Sequence, residues 1–128
     1  MISDEQLLQR AAEARDRAYC PYSQFPVGAA LLCESGAVYL GANVENAVNG
    51  LSLCAERVAL FKAISDGEKR FLKIAVSCDA DLCRPCGACR QVLWEHAPHL
   101  EILMGKDDGG FVRTTIRALL PEAFLLER

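Results

Sequence analysis

The chain has 128 residues, 52% hydrophobic and 24% charged, which is the composition of a folded globular protein and excludes a disordered one. Its net charge of −3, with no run of Lys or Arg longer than two, argues against a nucleic-acid binder and fits a small or neutral substrate. The length predicts one domain, residues 1–128, and no apolar run approaches the ~20 residues needed to cross a bilayer, so no membrane partner is expected.

The elements follow in chain order. Ser3 and Gln6 form a capping-box pattern, and Leu7, Ala11, Ala14 and Ala18 recur at helical spacing. They predict a helix from about Asp4 to Ala18, stopped before Pro21. "VGAALLCESGAVYLGANV" reads as a hairpin turning at "ESG", where Gly36 can take a positive φ. "CAERVALFKAISDG" reads as a helix with an acid in its first turn and Gly67 beyond its end. "FLKIAVSC" is a short apolar strand, and "CGACRQVLWEHA" a helix closed by Pro98. "LEILMG" and "FVRTTI" are strands joined across "KDDGG", and "IRALLP" a short final helix. Strands interleaved with helices in this order predict an α/β fold, one sheet covered on both faces.

There are seven cysteines: Cys20, Cys33, Cys54, Cys78, Cys83, Cys86 and Cys89. "MISDEQLLQR" has no apolar signal-peptide core, so a cytoplasmic protein with reduced thiols is expected. Clustered cysteines then point to metal binding or catalysis, not to a disulfide framework. Cys54 opens one helix; Cys86 and Cys89 open another. A helix N-terminus favours negative charge and lowers a thiol's pKa. Three thiolates leave the fourth position of tetrahedral Zn²⁺ for water, as a catalytic site requires. Glu56, two residues after Cys54, can address that position without occupying it. This is the general signature of zinc deaminases, Cys/His-x-Glu followed by Pro-Cys-x-x-Cys, and the ligand assignment follows that pattern. Cys83 would complete a four-thiolate structural zinc or cluster site, but Pro85 separates it from the helix and Glu56 would then have no role. Cys20, Cys33, Cys78 and Cys83 therefore read as small buried or partly buried hydrophobes. Three thiolates on one Zn²⁺ leave excess negative charge. Arg57 is expected to donate to a thiolate and offset it, while Arg90 reads as a solvated helix arginine.

"PYSQFPVGAALL", "NVENAVNGLSLCAERVALFKA", "PCGACRQV" and "LLPEAF", in that order and over nearly the whole chain, resemble the small homotetrameric cytidine deaminases of pyrimidine salvage. The resemblance implies a three-layer α/β/α sandwich with a five-stranded mixed sheet, and a homotetramer with sites at subunit contacts. It implies one zinc on Cys54, Cys86 and Cys89, with Glu56 shuttling protons. It places Asn43 and Glu45 on the ribose hydroxyls, Phe25 beside the base, Ala55 at the substrate and Phe124 in a neighbouring subunit's site. Asn43 and Glu45, two apart on an extended segment, face one side and can together satisfy two vicinal hydroxyls. Asn49 stands where the family commonly has tyrosine, and Arg84 where it has serine.

The expected reaction is hydrolysis of cytidine or 2′-deoxycytidine to the uridine and ammonia. Two departures, Asn49 and Arg84, keep a rival in play: a deaminase of a modified pyrimidine nucleoside or an antibiotic of the blasticidin S type. A non-enzymatic structural-zinc module with Cys83 as fourth ligand is a second rival. A polynucleotide deaminase is a third, opposed by the acidic balance. His96 and His99 read as surface residues near a helix C-terminus.

Overall fold

The computed structural model describes residues 1–127. Helix α1 (Asp4–Ala14) starts as expected: the Ser3 hydroxyl accepts from the Gln6 N–H at 3.1 Å, and the Gln6 side-chain Oε1 accepts from the Ser3 N–H at 3.0 Å. It ends earlier than its periodicity predicts. Residues Arg15–Arg17 tighten into a 3₁₀ turn, and Ala18 is already extended. The cause is non-local. Tyr19 pairs with the chain at Val44, its N–H reaching Asn43 O and its carbonyl taking the Glu45 N–H, both at 2.9 Å.

Strands β1 (Val27–Cys33) and β2 (Val38–Ala42) form the predicted hairpin, with Gly36 at φ 93° in its turn. Helix α2 (Ala55–Ser65) follows, then β3 (Phe71–Cys78), α3 (Gly87–His96), β4 (Glu101–Gly105), β5 (Phe111–Thr115) and the short α4 (Ile116–Leu119). The sheet order is β2-β1-β3-β4-β5. Only β3 and β4 are parallel, so α3 is the crossover between them, and the sheet is mixed.

Successive side chains of a strand point to opposite faces. Ala30, Leu32, Ala75 and Leu103 meet Leu7 and Ala11 of α1 on one face. Ala29, Leu31, Ile74 and Ile102 meet Ala59, Leu60 and Leu93 of α2 and α3 on the other. The expected three-layer α/β/α sandwich around a five-stranded mixed sheet is thus present. Two glycines allow the close approach. A Cβ on Gly28 would lie 2.0 Å from Ala11 O, and one on Gly41 would lie 2.2 Å from Ala55 O.

Candidate active site

Helices α2 and α3 both begin on a cysteine. Cys54 and Cys86 are N-caps with extended backbone, at φ −74° and −69°, and neither side chain caps its own helix. Their sulfurs are therefore available beside unpaired helical N–H groups, where negative charge is favoured. Cys54 Sγ lies 3.7 Å from Cys86 Sγ, and Cys86 Sγ lies 3.5 Å from Cys89 Sγ. Zn–S bonds of about 2.3 Å at tetrahedral angles put sulfurs roughly 3.8 Å apart, so the spacing fits a zinc ion. These three are the only group of metal-ligating side chains so disposed among the described residues.

The electrostatics also fit. The Cys54 thiol is pulled down to about 5, first by its hydrogen bond with the Cys89 thiol and then by Arg57. Cys89, buried beside it, is pushed up by its interaction with the Cys54 thiol and by burial. Arg57 Nη2 donates to Cys54 Sγ at 3.5 Å. Arg57 Nε is buried without a hydrogen-bond partner among the described residues, which suits a neighbouring anionic metal–thiolate centre.

Glu56 is 4% exposed, and burial pushes its carboxyl up to about 7. It lines a cavity of about 290 Å³ together with Phe25, Asn43, Glu45, Ala55 and Cys86. Five expected residues are thus gathered around the two exposed or half-buried ligands, Cys86 and Cys54. Phe124 is not: it is 68% exposed and outside this cavity, its carbonyl accepting from Gln91 Nε2 at 2.9 Å.

Asn43 and Glu45 have duties the sequence did not disclose. Asn43 Oδ1 accepts from the Val27 N–H at 2.8 Å, and Nδ2 donates to Phe25 O at 3.0 Å. The amide thereby straps the segment around Pro26 and keeps one donor and one lone pair for a ligand. Glu45 accepts from the Tyr22 and Ser23 N–H groups, each at 3.1 Å, and from the Ser23 hydroxyl. The Ser23 bonds hold its carboxyl below the usual range. Ser23 also lines the cavity, and no local pattern marked it.

Two expectations need correction. Arg90 is not a solvated arginine: its Nε donates to Pro85 O at 2.8 Å and its Nη1 to Leu119 O at 3.0 Å. It ties the loop before Cys86 to the end of α4. Cys78 and Cys83 are buried as expected, but they are not independent thiols; they form a disulfide. The loop after β3 folds back through the Leu82–Lys106 bridge and the Cys83 N–H to Gly105 O bond, bringing the two Cα atoms to 5.8 Å. A bonded Cys83 offers no thiolate, so it is not a fourth metal ligand. His96 and His99 are exposed, as expected.

An incomplete thiolate set with a buried carboxylate beside it is the arrangement of metal-dependent hydrolases that keep one coordination position for the reacting water. Within that class, the chain belongs to the family described as the cytidine and deoxycytidylate deaminase zinc-binding region, whose model matches residues 1–103. A cytidine deaminase of Halalkalibacterium halodurans is 48% identical over 125 residues, covering 96% of this chain and 95% of its own. One from Sporosarcina psychrophila is 46% identical, covering 96% and 92%. The crystal structure of a cytidine deaminase from Burkholderia pseudomallei superposes with a TM-score of 0.93 at 45% identity, over 96% of this chain and all of that one. The blasticidin-S deaminase of Bacillus cereus is more distant, 32% identical over 74% of each chain.

Proposed function

We propose that this chain is a zinc-dependent hydrolytic deaminase that converts cytidine and 2′-deoxycytidine to the corresponding uridines and ammonia. The observation that carries it is the buried Glu56 beside three thiols at tetrahedral zinc spacing, opening on a nucleoside-sized cavity. The relatives at 46% and 48% identity are cytidine deaminases, whereas the blasticidin-S deaminase stands at 32%, which favours this reading over the antibiotic-type rival.

Cys54, Cys86 and Cys89 hold one Zn²⁺ per chain. When bound, the metal supplies Lewis acidity that lets water lose a proton near neutral pH. Glu56 accepts that proton and delivers it to N3 of the cytosine ring, which makes C4 electrophilic. The water oxygen adds to C4. Glu56 then takes the remaining hydroxyl proton and gives it to the amine, so that ammonia departs and the C4 carbonyl forms. A carboxyl that titrates near 7 suits both transfers. Arg57 offsets the thiolate charge. Asn43 and Glu45 meet the ribose hydroxyls with their remaining donor and acceptor capacity, Phe25 stacks by the base, and Ala55 packs beneath the substrate at the start of α2.

The chain acts as one catalytic domain, working in the cytoplasm as a homotetramer. Phe124, Leu125 and Leu126 are 68%, 65% and 70% exposed, the kind of apolar surface a second copy would cover, and Phe124 would complete that copy's pocket. No helix among the described residues is long and apolar enough to cross a membrane. The test is ammonia release by zinc-loaded protein from cytidine, deoxycytidine and modified cytidines. Turnover of cytidine is expected; zinc bound at one per chain with turnover only of a modified nucleoside would move the assignment to the rival.

A further inference from the structure

Cys78 and Cys83 stand where a change of covalent state would be felt by the substrate. Both line the same cavity as Glu56, Asn43 and Glu45. Cys78 ends β3, and Cys83 leads directly into Arg84, Pro85 and the ligand Cys86. Arg84 lines the cavity as well. The bond therefore joins the rigid end of a central strand to the loop that forms the pocket wall. Cys78 also borders a second cavity of about 430 Å³ on the α1 side, with Arg15, Asp79 and Lys106. In a cytoplasmic protein a disulfide is usually transient and redox-sensing, whereas a structural one belongs to oxidising compartments.

We propose that Cys78 and Cys83 are a redox-responsive pair that sets the affinity of the pocket for its nucleoside. Closed, the bond pre-organises the wall that carries Arg84; open, the wall relaxes and substrate binds less tightly. The inference rests on the deaminase reading of the pocket. Opening consumes two equivalents of a small thiol. The first thiolate attacks one sulfur of the pair, the S–S bond breaks, and the departing cysteine sulfur takes a proton. The second thiolate attacks the mixed disulfide at the small molecule's sulfur, releasing the other cysteine. Two cysteines are reduced, and one small-molecule disulfide is formed; the reverse exchange closes the bond.

The experiment equilibrates the zinc-loaded enzyme with reduced or oxidised glutathione. Alkylation and mass spectrometry report the state of Cys78 and Cys83, while zinc content, kcat and KM for cytidine are measured on the same samples. Opening the bond is expected to raise KM about three- to tenfold, with kcat within about twofold and zinc retained. The double variant Cys78→Ser, Cys83→Ser should show the raised KM in either buffer. Equal KM in the two states, with the bond shown open in one and closed in the other, would overturn the proposal. So would failure of the bond to form in oxidised glutathione, or a fall in kcat that tracks loss of zinc. Absence of cytidine turnover in every state would instead bring down the deaminase reading, and this inference with it.

Discussion

A Cβ built on Gly41 would stand 2.2 Å from the carbonyl oxygen of Ala55 and 2.6 Å from the Ala59 nitrogen. Strand β2 and helix α2 therefore touch backbone to backbone at the turn that carries Cys54 and Glu56. Gly41→Ala is expected to destabilise the fold by about 3 kcal/mol or more, because neither backbone can give way. It should also weaken zinc binding by moving the start of α2. Gly87→Ala is the control: Gly87 opens α3 with nothing within 4 Å of such a Cβ, and a change within about 0.5 kcal/mol is expected. Denaturant unfolding of the two variants measures the difference.

Glu56→Gln keeps the volume of the side chain and removes its capacity to take up and release a proton. Zinc should stay at one per chain while kcat falls by about 10³-fold. A variant that kept a tenth of wild-type turnover would show that the proton path lies elsewhere.

Arg57 does not itself line the cavity but donates to Cys54 Sγ, which does, at 3.5 Å. Arg57→Gln should weaken zinc binding by about 10- to 100-fold in competition with a colorimetric chelator. Arg57→Lys, which keeps the charge, should recover part of the loss. Unchanged zinc affinity in both variants would remove Arg57 from the centre.

Asn43 is 9% exposed and makes two hydrogen bonds to the backbone on either side of Pro26. Replacing it with Ala leaves the half-buried Val27 N–H and the Phe25 carbonyl without these partners, at a cost of about 1–2 kcal/mol. A rise in KM should accompany this, since Phe25 loses its strap. Calorimetry of the variant checks the first expectation and steady-state kinetics the second.

On the opposite side of the sheet, Asp4 accepts from Lys73 Nζ at 2.8 Å and from Arg113. The Lys73 bond, then the Arg113 bond, hold its carboxyl below its ordinary 3.8. A depressed folded-state value means that the stabilisation is fully present above about pH 4 and is lost as pH falls through that lower value. Asp4→Asn should therefore cost about 0.5–1 kcal/mol at pH 7, and the gap to wild type should close as the pH is lowered below 4. A gap independent of pH would assign the loss to packing or to the helix start instead.

Most elements and the metal ligands were legible because their signals are local. Capping residues, hydrophobic period and turn glycines act within one or two turns of chain, so α1, the β1–β2 hairpin and the starts of α2 and α3 are read directly. The Cys54-x-Glu56 and Pro85-Cys86-x-x-Cys89 patterns are equally short. The contact of Arg57 with Cys54 is as local, three residues along the chain.

What the sequence determined by itself was the inventory: which segments are helix or strand, which thiols sit at helix starts, and which carboxylate accompanies them. Tertiary structure alone decided how that inventory is used. It ended α1 at Ala14 by pairing Tyr19 with a segment more than twenty residues away. It bonded Cys83 to Cys78, turned Arg90 toward Pro85 and Leu119, and committed Asn43 and Glu45 to backbone groups at and just before the start of β1. It also left Phe124 outside its own chain's cavity. The pairing of Tyr19 with Val44, the Arg90 bond to Leu119 and the bonds of Asn43 and Glu45 join residues distant in sequence, while Cys78 and Cys83, only five apart, meet because the loop between them folds back onto Gly105 and Lys106. A charge, an amide or a thiol carries no local mark of the partner that packing will bring to it.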